Sequence, residues 1–194
     1  MKHILIALFF STSALAAKVG APAPAFELKD MSGKVVKLSD FSGKTVVLEW
    51  FNAECPFVKK HYESKNMQSI QEEYTKKGVV WLVINSSAKG KQGHLTEASA
   101  KDIQGKWKIV ASNILLDPTG ATGKAYGAKT TPQMYIIDGK GALVYNGAID
   151  SNPSTDAADI PTSKNFVKMG LAEVLAGKPV TTASSAPYGC SVKY

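Results

Sequence analysis

The sequence predicts an α/β fold, a mixed β-sheet with helices packed against it. Three observations carry this. Residues 45–51 (TVVLEWF) and 79–84 (VVWLVI) are β-rich and mostly apolar, as strands covered on both faces must be. Segments with helical spacing separate and follow them, so strands alternate with helices. The chain then closes with a hairpin signal, Asp138-Gly139-Lys140-Gly141, and one last helix.

The elements follow in order. Ala21-Pro22-Ala23-Pro24 is an extended lead-in, because proline fixes its own φ and restrains its predecessor. Residues 26–28 and 35–38 alternate apolar and polar around Ser32-Gly33, the pattern of a small hairpin. The strand over 45–51 leads into a helix over 56–77, with Phe57, Met67, Ile70 and Tyr74 on one stripe and Gly78 as its stop. A second buried strand covers 79–84, a loop 90–93, and a helix 96–107. Residues 114–116 form a short strand and 120–126 a weak helix. Strands over 133–137 and 142–149 flank the second hairpin. A polar loop spans 151–161, and Thr162 or Ser163 caps a helix that runs to Leu175 before Gly177 and Pro179. Residues 180–194 form a tail that carries the second cysteine.

Composition sets the limits. At 194 residues the chain has one domain's length, and 44% hydrophobic with 20% charged residues supports a packed core. Two cysteines are too few for a disulfide scaffold or a four-thiolate zinc site. The net charge is +7, but all 23 basic residues are lysine and they are spread along the chain. Nucleic-acid readers concentrate charge and use arginine forks, so a nucleic-acid partner is not expected. The longest apolar run lies at the N-terminus and is too short to span a bilayer. Residues 1–16 read as a secretory signal: Lys2, an apolar stretch from Ile4 to Phe10, then Ala14-Leu15-Ala16 as an A-x-A cleavage pattern. The expected division is thus a signal over 1–16, a domain over 17–179 and a tail over 180–194. The mature protein is expected outside the cytoplasm without stable membrane insertion, in the periplasm of a Gram-negative source, where disulfides persist.

Cys55 is the chemical focus. It follows a buried strand and precedes Pro56, a residue suited to the first helical turn. A thiol there faces unpaired N–H groups and the positive end of the helix dipole, which favour thiolate. Lys59, one turn on, adds positive charge on the same helical face. A thiol of pKa ~8.5 is about 3% thiolate at neutral pH; at ~6 it is roughly 90%. The bland alternative is a buried structural cysteine. Glu49 breaks an apolar strand six residues before Cys55. It is either a desolvated acid with a raised pKa, suited to proton transfer, or a residue that sits at a sheet edge or pairs with a lysine. Trp50, Trp81 and Tyr135 read as core aromatics.

Residues 50–58 (WFNAECPFV) resemble the active-site turn of the thioredoxin superfamily, and Thr131-Pro132 before a strand resembles its cis-proline loop. The resemblance runs from about Val19 to Tyr194 and is nearest the secreted redoxin and AhpC/TSA peroxiredoxin-like group. It implies a thioredoxin-like fold with an N-terminal hairpin and a C-terminal tail. It implies catalysis by Cys55 with Glu49 in support, beside the Lys59 that helix spacing already adds, and a substrate side formed by Thr131, Pro132, Trp50 and Pro56. Departures narrow the chemistry. Val58 stands where thioredoxins carry a second cysteine. Leu48 and Asn52 stand where peroxiredoxins carry proline and threonine or serine, and the chain has no arginine to hold a peroxide.

Cys190, 135 residues on, is the expected resolving cysteine; a permanent staple is the alternative. The leading expectation is a thiol–disulfide oxidoreductase. It acts on a protein or small-molecule disulfide, needs an external thiol reductant and uses no cofactor or metal. A thiol peroxidase with the same cysteines is the alternative enzyme. A copper carrier or a disulfide-stapled binding module is the non-enzymatic alternative.

Overall fold

A computed structural model describes residues 17–194; the expected signal, 1–16, lies outside them. Seven strands form one mixed sheet: β1 (Glu27–Asp30), β2 (Val35–Lys37), β3 (Val46–Trp50), β4 (Val80–Asn85), β5 (Asn113–Leu116), β7 (Gln133–Ile137) and β8 (Leu143–Gly147). Their order is β2-β1-β5-β4-β3-β7-β8. The central strands β3, β4 and β5 are parallel; β7 and β8 continue antiparallel on one side, β1 and β2 on the other. A two-residue strand β6 (Thr130–Thr131) pairs with β9 (Cys190–Ser191) in a separate small sheet.

Every residue of β3 and β4 is buried, because both faces of the sheet are covered. Successive side chains of β3 point opposite ways. Val47 joins one core cluster, with side chains from α1 (Pro56–Glu63), α2 (Asn66–Thr75), α3 (Glu97–Trp107) and α5 (Phe166–Leu175). Val46, Leu48 and Trp50 join the other, with Phe26, Tyr135 and α4 (Ala121–Tyr126). Trp50 packs its ring 5.4 Å from that of Tyr126 and 5.0 Å from that of Tyr135.

Both hairpins are fixed by an aspartate at the first turn position. The Asp30 carboxylate accepts from the Ser32 and Lys34 amides at 2.8 and 3.0 Å, and that of Asp138 from the Lys140 and Ala142 amides, both at 2.9 Å. The expected single helix over 56–77 is two helices. Lys65 between them adopts φ +62°, a left-handed conformation that stops the α1 ladder, and no Gly or Pro marks the break in sequence. The cap of the last helix is Asn165, whose side chain accepts from the Lys168 amide at 2.9 Å, in place of Thr162 or Ser163. Ala157–Thr162, at the end of the expected polar loop and one residue beyond it, form a 3₁₀ helix. Among the described residues no helix is long and apolar enough to cross a membrane.

Candidate functional site

The turn after β3 delivers Cys55 to the start of α1. The Asn52 side chain accepts from the Glu54 amide at 2.9 Å, and the Cys55 amide donates to the Asn52 carbonyl at 3.1 Å. Cys55 is the N-cap residue of α1 and Pro56 its first helical residue. Opposite stands the Thr131–Pro132 peptide bond, which is cis. Gln133 holds that loop: its Oε1 accepts from the Lys129 and Thr130 amides at 2.8 and 3.3 Å. The Cys55 thiol donates to the Thr131 carbonyl at 3.0 Å.

The tail is a strap across this site. Cys190 pairs with Thr131 in the β6–β9 ladder, and its Sγ lies 2.8 Å from Sγ of Cys55. Cys55 is fully buried beneath it, while Cys190 is half-buried. Burial pushes the Cys55 thiol up, but donors from the Cys190 side chain and amide, the Val58 amide and Thr131 outweigh it and hold it below its ordinary value. Cys190 is pushed up to about 11 by burial, by its hydrogen bond with Cys55 and by the charge there. Of the two thiols, Cys55 is thus the one that gives up its proton more readily.

The strap is anchored by residues the sequence did not single out. Tyr188 Oη donates to Asp150 Oδ1 at 2.5 Å and lies 3.4 Å from His61 Nε2. Asn66 Nδ2 donates to His61 Nδ1 at 2.8 Å, which leaves the His61 proton on Nε2, facing Tyr188. Burial lowers His61 to about 4, with Asp150 opposing and Lys60 assisting, so the ring is neutral. Phe57 meets the Tyr188 ring edge-on at 5.7 Å. His61 lies six residues after Cys55, about 240° around an ideal helix, and acts on the strap and not on the thiol. Tyr188→Phe should leave the buried Asp150 without its short donor. The expected cost is about 1.5–3 kcal/mol of stability, measurable by urea unfolding.

The remaining predicted residues divide. Thr131 touches both cysteines, and Pro132 follows it in the loop. Pro56 is exposed beside it. Trp50 is wholly buried in the opposite core cluster, its indole N–H on Ser86 Oγ at 3.1 Å, so it presents no surface. Lys59 is exposed, and the groups that lower Cys55 are those named above. Glu49 is wholly buried, not at a sheet edge or paired with lysine. It accepts from Tyr62 Oη (2.8 Å), Trp81 Nε1 (2.8 Å) and Gln71 Nε2 (3.1 Å). Burial raises it to about 7 against those three hydrogen bonds. Among the described residues no group of three or more His, Cys, Asp or Glu side chains could hold a metal ion.

The sequence pattern of the AhpC/TSA family matches residues 19–146. The chain belongs to that family. The match takes in Cys55 and the cis-proline loop and ends before the strap. The fold is thioredoxin-like, and membership places the chain among thiol redox proteins. An uncharacterized conserved protein from Geobacillus kaustophilus is 29% identical, with a TM-score of 0.77 over 91% of this chain and 92% of that one. A hypothetical protein from Sinorhizobium meliloti 1021 is 24% identical and shares the fold, with a TM-score of 0.77 over 93% and 96%. A Chlorobium tepidum protein provisionally named a thiol:disulfide interchange protein, DsbE, is 28% identical, with a TM-score of 0.54 over 68% and 85%. No curated protein matches the chain.

Proposed function

We propose that this AhpC/TSA family member is a secreted thiol–disulfide oxidoreductase in which Cys55 is the nucleophile and Cys190 the resolving cysteine. The observation that carries the reading is the 2.8 Å approach of the two sulfurs at the start of α1, with the thiolate favoured on Cys55. The Cys55 thiolate attacks a substrate disulfide. A Cys55–substrate bond forms, the substrate bond breaks, and one substrate thiolate leaves. Cys55 then carries no charge, so part of what raised Cys190 is gone, while Lys193 continues to lower it. Deprotonated Cys190 attacks Sγ of Cys55, expels the second substrate thiolate and leaves a Cys55–Cys190 disulfide. An external thiol reductant returns two electrons to the pair.

Thr131 and the cis Pro132 form the substrate side of the cleft in this reading, with Pro56 at its mouth. Lys59 adds surface charge near the mouth, and Trp50 supports β3 from the core. Glu49 is the proton store behind the site. Secretion, with a periplasmic setting in a Gram-negative source, rests on the signal pattern of residues 1–16. Family membership favours a second reading, a thiol peroxidase that passes through sulfenic acid on Cys55. The lack of arginine, and Leu48 and Asn52 at the peroxiredoxin motif positions, weigh against it.

The test is alkylation of Cys55 against pH in Cys190→Ser, followed by challenge with a small aromatic disulfide or hydrogen peroxide. The strap's donors act on the midpoint as well as the rate, with the serine hydroxyl in place of the Cys190 thiol, so the midpoint reports Cys55 in its covered site. The expected result is a midpoint below ~8.5, rapid formation of the mixed disulfide and slow reaction with peroxide. Fast peroxide consumption with trapped sulfenic acid selects the peroxidase. An ordinary or raised midpoint with neither reaction removes the catalytic role of Cys55.

A further inference from the structure

Beyond Cys190 the strap continues through a fitted groove. The Val192 amide donates to the Lys129 carbonyl at 2.9 Å, and the Lys193 carbonyl accepts from the Ala88 amide at 2.8 Å. The Tyr194 ring, 37% exposed, then lies in an open slot floored by the start of α4. A Cβ on Gly120 would sit 2.3 Å from Tyr194 Cδ1, and one on Gly123 would sit 2.5 Å from Tyr194 Oη. The hydroxyl donates to the Ala128 carbonyl at 2.7 Å, and Lys124 Nζ stands 5.4 Å from the ring centroid. Most of this track is main-chain pairing, which any extended segment can make. Selectivity falls to the side-chain seats: those of Cys190 and of Val192, which is buried in the Trp50 core cluster, and, four residues after the cysteine, that of Tyr194.

We propose that this groove is a polypeptide-binding site whose resident occupant is the strap, and that its external ligands are extended cysteine-bearing segments with an aromatic residue four positions after the cysteine. The proposal rests on the oxidoreductase reading for the chemistry at Cys55, but the groove can be tested without that chemistry. An arriving segment displaces the strap and brings its sulfur to Cys55. The strap then returns, and Cys190 breaks the mixed disulfide while β9 reclaims the edge of β6, so resolution and product release are one movement. A tethered occupant has an effective concentration on the order of mM, which an outside segment must overcome. A segment that lacks the aromatic residue loses that competition.

The experiment uses the full chain with Cys190→Ser, where Cys55 is the sole thiol. Adding Tyr194→Ala should speed iodoacetamide labelling of Cys55 by about tenfold or more, whereas Tyr194→Phe, which keeps the ring, should change it less than about threefold. A peptide of residues 188–194 with serine for cysteine should restore protection to the Tyr194→Ala chain. The same peptide ending in alanine should not. Unchanged labelling in Tyr194→Ala, or equal protection by both peptides, overturns the proposal. If Tyr194→Ala does not fold by circular dichroism, the labelled peptides are titrated into Gly189→Ala, a change outside the slot. At least about tenfold tighter binding of the tyrosine-ended peptide is expected there, and equal binding overturns the proposal. Because these peptides carry no thiol, failure of the groove and failure of the redox reading are separate results.

Discussion

Gly189→Ala should uncover Cys55. Gly189 has φ +134°, a region that side-chain-bearing residues rarely occupy, and a Cβ there would lie 2.1 Å from the Thr131 carbonyl oxygen and 2.7 Å from its carbon. Both obstacles are backbone, in a loop pinned by the Gln133 side chain. The loop cannot yield without losing those bonds, so the strap must move. A left-handed penalty of about 1–2 kcal/mol and overpacking of about 1–3 kcal/mol together exceed the ~1.4 kcal/mol that corresponds to tenfold. In a Cys190→Ser background, alkylation of Cys55 should therefore rise by at least about tenfold, toward several hundredfold. With Cys190 intact, the mixed disulfide on Cys55 should accumulate, because the resolving sulfur no longer sits beside it. An alkylation rate equal to that of the parent would mean that the strap does not gate the thiol.

Such a gate was invisible in the sequence, and the reason is physical. Local pattern revealed the strand-turn-helix around Cys55, both hairpins and most strand positions, because each follows from a short run of residues with its own periodicity or turn chemistry. The two aspartates that fix the hairpins illustrate this. The α1–α2 break was not legible, since Lys65 goes left-handed under tertiary constraint with no glycine to announce it. The strap was not legible either. Residues 181–194 are rich in serine and threonine, and their order comes from contacts with Thr131, Asp150, Ala128 and Gly120, all distant in sequence. Spacing named the two cysteines, but only the packing shows that Tyr188, His61 and Asp150 hold one of them over the other. Burial of Trp50 follows from its strand, where alternation turns it to the opposite face from Val47.

Glu49 should make the protein less stable as the pH rises through neutrality. Its carboxyl is raised from 4.5 to about 7, first by burial, with hydrogen bonds from Trp81, Tyr62 and Gln71 opposing. Between those values the folded chain holds a proton that the unfolded chain has released. The stabilisation is thus fully present below about pH 4.5 and is lost as the pH rises through 7. The difference corresponds to about 3 kcal/mol, at ~1.4 kcal/mol per pH unit. Glu49→Gln should abolish this slope and still preserve the network. Oε2 receives two donors, Trp81 and Gln71, and can be replaced by the amide oxygen, while the amide nitrogen faces Tyr62, whose hydroxyl can turn to accept. Urea unfolding at pH 4.5 and pH 8 should show the variant gaining about 3 kcal/mol on the parent between the two. A gain within ~0.5 kcal/mol, the scatter of surface substitutions, would show that Glu49 titrates as an ordinary carboxyl. The proposed role as proton store adds a second readout: the step near pH 7 in the rate at which Cys190 resolves the mixed disulfide should vanish in the same variant. A purely structural Glu49 moves the stability and leaves that step in place, so the two measurements separate a proton store from a buried support for β3.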